Sequence, residues 1–113
     1  MCTRNELNII LQKMARIYRS VYGKELVQVI LYGSYARGDY NHDSDVDLVA
    51  IVHGERDLLQ EQLKKVWDES CELELEYDTI LSPTVIPYEE FEKYQKDLPY
   101  YRNIAQEGVV VVA

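Results

Sequence analysis

The residues able to do chemistry gather between Gly33 and Asp47: Gly33-Ser34, ten intervening residues, then Asp45-Val46-Asp47, with Arg37 and Ser44 inside the interval. A glycine where an apolar run ends lets the backbone come close to a ligand, and a short helix opening at Ser34 would turn free backbone N–H groups toward an anion. Phosphate is the natural guest. On an extended chain Asp45 and Asp47 project to one side while Val46 and Leu48 face the other. Two neighbouring carboxylates suit Mg²⁺, a hard cation that takes one or two carboxylates together with substrate phosphates. Asp47 also stands inside an otherwise apolar run, where a carboxylate is rarely tolerated unless it is paired or bound to metal. The turn would hold the anion and the acid pair its counter-cation.

These groups need rigid supports on both sides. Leu26 to Tyr32 and Val46 to Val52 are rich in Val, Ile and Leu and read as buried strands, which makes the polar stretch the loop between them. Ahead of them Thr3 and Glu6 form a capping-box pattern, and Leu7, Ile10, Leu11, Met14, Ile17, Tyr18 and Val21 recur at helical spacing up to Gly23. Lys13, Arg16 and Arg19 fall on the opposite, solvated face of that helix. After the break at His53-Gly54, helical spacing resumes over 55–70 through Leu59, Leu63, Val66 and Trp67. From about Cys71 to Leu81, Leu73, Leu75 and Tyr77 alternate with Glu72, Glu74, Glu76 and Asp78, which predicts a third strand with one acidic face. Pro83 and Pro87 mark its exit. Short helices follow over 88–95 and 99–106, the second ended by Gly108. The run Val109 to Val112 reads as an edge strand or a surface for a partner, and such an edge favours self-association. The predicted fold is α+β, a small mixed β-sheet covered by helices.

A chain of 113 residues is expected to form one domain, 1–113, with a single core. Its formal charge of −8 argues against direct binding of nucleic acid, which rests on clustered Lys and Arg. A nucleotide carried with Mg²⁺ remains compatible. Cys2 and Cys71 are too few for a disulfide framework, so a cytoplasmic location is expected. No apolar run approaches the roughly 20 residues of a membrane helix. His42, Asp39 and Asp43 read as loop residues, and the alternative for Arg37 is an ordinary surface pair with Asp39 or Asp43.

The ordered set Gly33-Ser34, ten residues, Asp45-x-Asp47, with Ala36-Arg37-Gly38 and Ser44 inside, resembles the signature of the polymerase-beta-like nucleotidyltransferase superfamily. The small size, and the closing segment from Leu98 to Gly108, are similar to the minimal nucleotidyltransferases, often paired with a HEPN-type helical protein as toxin and antitoxin. The resemblance implies a polymerase-beta-like fold and transfer of AMP from ATP to an acceptor hydroxyl. Two Mg²⁺ ions would be held by Asp45 and Asp47, with Asp78 completing the first metal's ligands and helping to deprotonate the acceptor. Gly33 and Ser34 would hold the leaving phosphates, assisted by Arg37 and Ser44. Among the acids of the predicted third strand Asp78 is favoured by its short side chain and by Thr79-Ile80-Leu81 after it, with Glu76 second. The implied acceptor is a tyrosine of a cognate HEPN-type toxin, in a homo- or hetero-oligomer. The alternatives are a binding module that neutralises the toxin by covering it, or nucleotidylation of a small molecule such as an aminoglycoside.

Overall fold

In the computed structural model, which describes residues 3–41 and 44–112, the chain runs α1 (Arg4–Tyr22), β1 (Leu26–Tyr32), α2 (Ser34–Arg37), β2 (Val46–Val52), α3 (Arg56–Tyr77), β3 (Leu81–Pro87), α4 (Tyr88–Tyr94), α5 (Pro99–Glu107) and β4 (Val109–Val112). Cys2, His42 and Asp43 lie outside the described residues. α1 opens as its sequence requires: the Glu6 amide donates to Thr3 Oγ1 at 3.1 Å and the Thr3 amide donates to Glu6 Oε1 at 2.9 Å. This reciprocal pair satisfies two N–H groups, one of them a first-turn amide with no acceptor inside the helix. On the solvent side Lys13 lies 3.8 Å from Glu76 of α3, and Arg16 and Arg19 are exposed.

The strands lie in the order β3-β2-β1-β4. β1 is antiparallel to both β2 and β4, and β2 is parallel to β3, so the sheet is mixed. One face carries Val29, Leu31, Val46, Leu48, Ala50, Val52 and Val85 into a core completed by Ile10, Met14 and Tyr18 of α1 and Leu59, Leu63 and Val66 of α3. The other face carries Ile30, Val49, Ile51 and Ile86 against Phe91 of α4 and Tyr101 and Ile104 of α5. Both faces of β2 are therefore covered along most of its length, which explains its nearly continuous apolar run. The Val109 to Val112 run is an edge strand on β1, with Val109 and Val110 half exposed.

The third strand is not where alternation places it. Residues 71–77 continue α3, and β3 begins only at Leu81. The buried residues of α3, Leu59, Leu63, Val66, Ser70 and Leu73, are spaced by four and three and so form one helical stripe that runs through the disputed segment. Leu73 is 6% exposed while Leu75 is 85% exposed, which no shared strand face would allow. Leu and Glu both favour helix, and the stripe settles the competition. The prolines that read as the strand's exit lie within it: Pro83 and Pro87 belong to β3, an edge strand, where a missing N–H is tolerated. Asp78 is accordingly the residue that ends α3, in a left-handed conformation at φ 48°.

Candidate active site

The site lies at the end of the sheet where β1 finishes and β2 and β3 begin. Cross-strand register puts Tyr32 opposite Asp47, and Asp47 beside Ser82, so these three residues are level and share the face that α4 and α5 cover further along. Beyond Tyr32 the chain turns at Gly33, whose φ of 75° and ψ of −156° belong to a region that only glycine enters readily. A Cβ on Gly33 would sit 2.3 Å from Asp47 Oδ2. The glycine is thus required twice, for the backbone angle and for the approach of the carboxylate. Its carbonyl accepts from the Ala36 and Arg37 amides, both at 3.1 Å, which starts α2 and leaves the first amides of that turn without an acceptor inside the helix.

Asp45 immediately precedes β2 and accepts a hydrogen bond from Ser82 Oγ at 3.3 Å. Burial raises the Asp47 carboxyl above its ordinary range, the charge of Asp45 pushes it further, and Arg37 partly offsets both. A cation between the two acids would reverse that penalty, and an all-oxygen set of two carboxylates and a hydroxyl is the donor chemistry Mg²⁺ takes. Arg37 is exposed, with Nε 3.3 Å from Asp39 Oδ2 and Nη1 3.6 Å from Glu107 Oε2. Solvent-exposed pairs of this kind hold little free energy, so the guanidinium can exchange partners at small cost. Ser44 closes the loop onto itself: its Oγ accepts from the Asn41 amide at 2.9 Å and its amide donates to the Asn41 carbonyl at 3.1 Å. Ser34 is half-buried at the head of α2.

Gly33, Ser34, Arg37, Asp45 and Asp47 are therefore brought to one end of the sheet, with Ser44 securing the loop beside Asp45. Asp78 is not brought into a metal-holding group with the acid pair: among the described residues no group of three or more His, Cys, Asp or Glu side chains could hold a metal ion. The reason is the extra length of α3. Because the helix continues to Tyr77, β3 starts late and its residue beside Asp47 is Ser82. The other acids of that stretch turn elsewhere. Glu74 Oε2 accepts from the Leu81 amide at 3.1 Å, Glu76 pairs with Lys13, and Glu72 is exposed.

Sequence reasoning missed two neighbours of the acid pair. One is Ser82, hidden in a segment taken as the strand's exit. The other is the phenol pair Tyr32 and Tyr100, whose hydroxyls lie 3.0 Å apart. Burial, the bond to Tyr100 and the nearby Asp47 charge all push the Tyr32 phenol well above its usual range. It stays protonated and can donate.

A family model described as "Nucleotidyltransferase domain" matches residues 9–112. The chain belongs to this nucleotidyltransferase family. Two relatives from Methanocaldococcus jannaschii bear the names "Putative protein adenylyltransferase MJ0604" and "Putative protein adenylyltransferase MJ0141". The first is 30% identical over 89% of this chain and 93% of its own length, and the second 34% identical over 71% and 79%. Among solved structures, a crystal structure of a mutant MntA-HpeT toxin-antitoxin superposes with a TM-score of 0.55 at 12% identity, covering 89% of this chain and 71% of that one. A crystal structure of a toxin-antitoxin with AMP-PNP gives 0.51 at 17% identity, covering 95% and 72%. At such identities the likeness is one of fold. The nucleotidyltransferase thus has the α+β, polymerase-beta-like architecture that its motif implies. Among its described residues no helix is long and apolar enough to cross a membrane.

Proposed function

We propose that the chain transfers AMP from ATP to a hydroxyl of a protein, and that the acceptor is a tyrosine of a cognate HEPN-type toxin. The observation that carries the reading is the contact between the Gly33 turn and the Asp47 carboxylate, so close that a single Cβ would not fit between them. Phosphates lying on the amides of that turn would be adjacent to whatever cation the acids hold. Asp45 and Asp47 would hold Mg²⁺, which when bound neutralises charge on the attacking and leaving oxygens of an in-line displacement. The acceptor oxygen forms its bond to the α-phosphorus, the α–β phosphoanhydride bond breaks, pyrophosphate leaves and the acceptor's proton passes to solvent. Gly33 and Ser34 receive the leaving phosphates, and Arg37 exchanges Asp39 and Glu107 for the triphosphate. Ser44 keeps the loop closed while this happens. Such a site works by positioning and by matching charge, since the protein contributes no covalent intermediate.

Support for a protein acceptor comes from the names of the two archaeal relatives, and support for a toxin from the toxin-antitoxin structures that share the fold. The test is to incubate the chain with ATP, Mg²⁺ and its co-expressed genomic neighbour. Pyrophosphate release and a mass gain of one AMP on a tyrosine of the neighbour are expected, both absent with Asp47→Asn. A tight complex with an unmodified neighbour, and release no greater than that of the variant, would overturn the reading.

A further inference from the structure

We propose that Ser82 is a positioning residue for the acid pair, and that because a serine stands at this level of the sheet the divalent cation enters the site together with the nucleotide rather than ahead of it. The inference rests on the function proposed above and concerns how that site is loaded. Parallel pairing of β2 with β3 sets Ser82 beside Asp47, on the same face, and its hydroxyl donates to Asp45 Oδ2 at 3.3 Å. One short side chain therefore lies level with one acid and is bonded to the other. It fixes the Asp45 carboxylate in direction and leaves its second oxygen for a cation. Hydrogen-bonded partners of this sort commonly change metal affinity by about 10–100-fold when removed.

Ser82 adds an oxygen to the acid pair but no charge. Among the described residues no third acid joins Asp45 and Asp47 in a group that could hold a metal; of the α3 acids closest in chain to β3, Glu76 pairs with Lys13 and Glu74 accepts from the Leu81 amide. Mg²⁺ surrenders water reluctantly and is usually held by one or two carboxylates plus substrate phosphates, not by an all-protein cage. Two carboxylates and a neutral hydroxyl thus form an incomplete site that the phosphates complete. The same strand position filled by an acid would make a site able to take a cation on its own.

The experiment uses the whole chain and Mn²⁺ as the probe. Calorimetry measures Mn²⁺ alone, a non-hydrolysable ATP analogue alone, and the preformed Mn²⁺–analogue complex, each against wild type, Ser82→Ala, Ser82→Thr and Ser82→Asp, with thermal melts to verify folding. Wild type is expected to bind the Mn²⁺–analogue complex at least ~10-fold more tightly than Mn²⁺ alone. Ser82→Ala should weaken the complex by about 10-fold while leaving the metal-free analogue unchanged, and Ser82→Thr should restore it. Ser82→Asp should bind Mn²⁺ alone at least ~10-fold more tightly than wild type does. Equal affinity of wild type for Mn²⁺ with and without the analogue, or no effect of Ser82→Ala on the complex, overturns the inference while the transferase reading stands. Failure of every folded variant to bind the Mn²⁺–analogue complex overturns both.

Discussion

Alanine at Gly33 separates two demands that the turn places on one residue. At φ 75° and ψ −156° the backbone alone should destabilise Gly33→Ala by about 1–3 kcal/mol. The new Cβ would also lie 2.3 Å from Asp47 Oδ2, some 1.1 Å inside the 3.4 Å at which ordinary contact begins. The carboxylate is the free end of a short side chain and would rotate away, at little further cost in stability. A displacement of that size at a reacting centre lowers activity by on the order of 100-fold, equivalent to about 2.7 kcal/mol of transition-state stabilisation. Gly38 provides the control inside the same loop. Its φ is 86°, and a Cβ there would meet nothing within 4 Å. Gly38→Ala should therefore lose about 1–2 kcal/mol of stability for its left-handed backbone and keep its rate within a few-fold. Urea unfolding followed by far-ultraviolet circular dichroism gives the stabilities, and pyrophosphate release at saturating ATP gives the rates. Equal loss of activity in the two variants, or a folded Gly33→Ala with wild-type activity, would refute the claim that Gly33 is a glycine for the sake of Asp47.

Three further outcomes are expected. Asp47→Asn should abolish transfer, by ~100-fold or more, yet make the metal-free protein more stable at neutral pH. The sign follows from the raised carboxyl: between the unfolded value of 3.8 and its higher folded value the native state holds the extra proton, so wild type loses stability as pH rises through that window. The advantage of the variant should grow over that window and vanish below it; urea midpoints with chelator present that fall together at every pH would contradict this. Arg37→Gln should change stability by less than about 1 kcal/mol, since both ion pairs are exposed, while raising the KM for ATP. Thr3→Ala should lower stability by about 1 kcal/mol through loss of the capping box, with no change in rate per folded molecule.

What could be read directly from the residues was whatever local rules decide. β1 and β2 fall at Leu26–Tyr32 and Val46–Val52 as their apolar runs indicate, and α1 begins where Thr3 and Glu6 say it should. The glycine turn and the acid pair were legible as a candidate site because they lie inside one strand-loop-strand unit. The segment from Cys71 to Pro87 was not, because Glu-Leu-Glu-Leu-Glu at 72–76 satisfies two periods at once. Only the continuation of the stripe from Leu59 to Leu73 against α1 and the sheet decides for helix. Asp78 falls at the end of α3 rather than on a strand for the same reason, and Ser82 is hidden because Pro83 beside it argues against a strand. The missing knowledge was that β3 lies at the sheet's edge, a fact of tertiary arrangement. A useful cue was nonetheless present: Thr84, Val85 and Ile86 between the two prolines form a β-favouring run.

The pairing of the strands also orders the molecule in time. Tyr32 meets Asp47 by closing one short loop, whereas Val109 must find Leu31 across most of the chain, an entropic handicap of roughly 1–2 kcal/mol on loop length alone. β4 is moreover held from one side only and leaves Val109 and Val110 half in water. Opening should begin there, carrying Glu107 away from Arg37 while β1 and β2 stay paired. In amide hydrogen exchange the protons of β4 should be lost first and those of Val49 and Ala50 last. The strand pair that carries the glycine turn and the acid pair is then the part that forms early and survives longest.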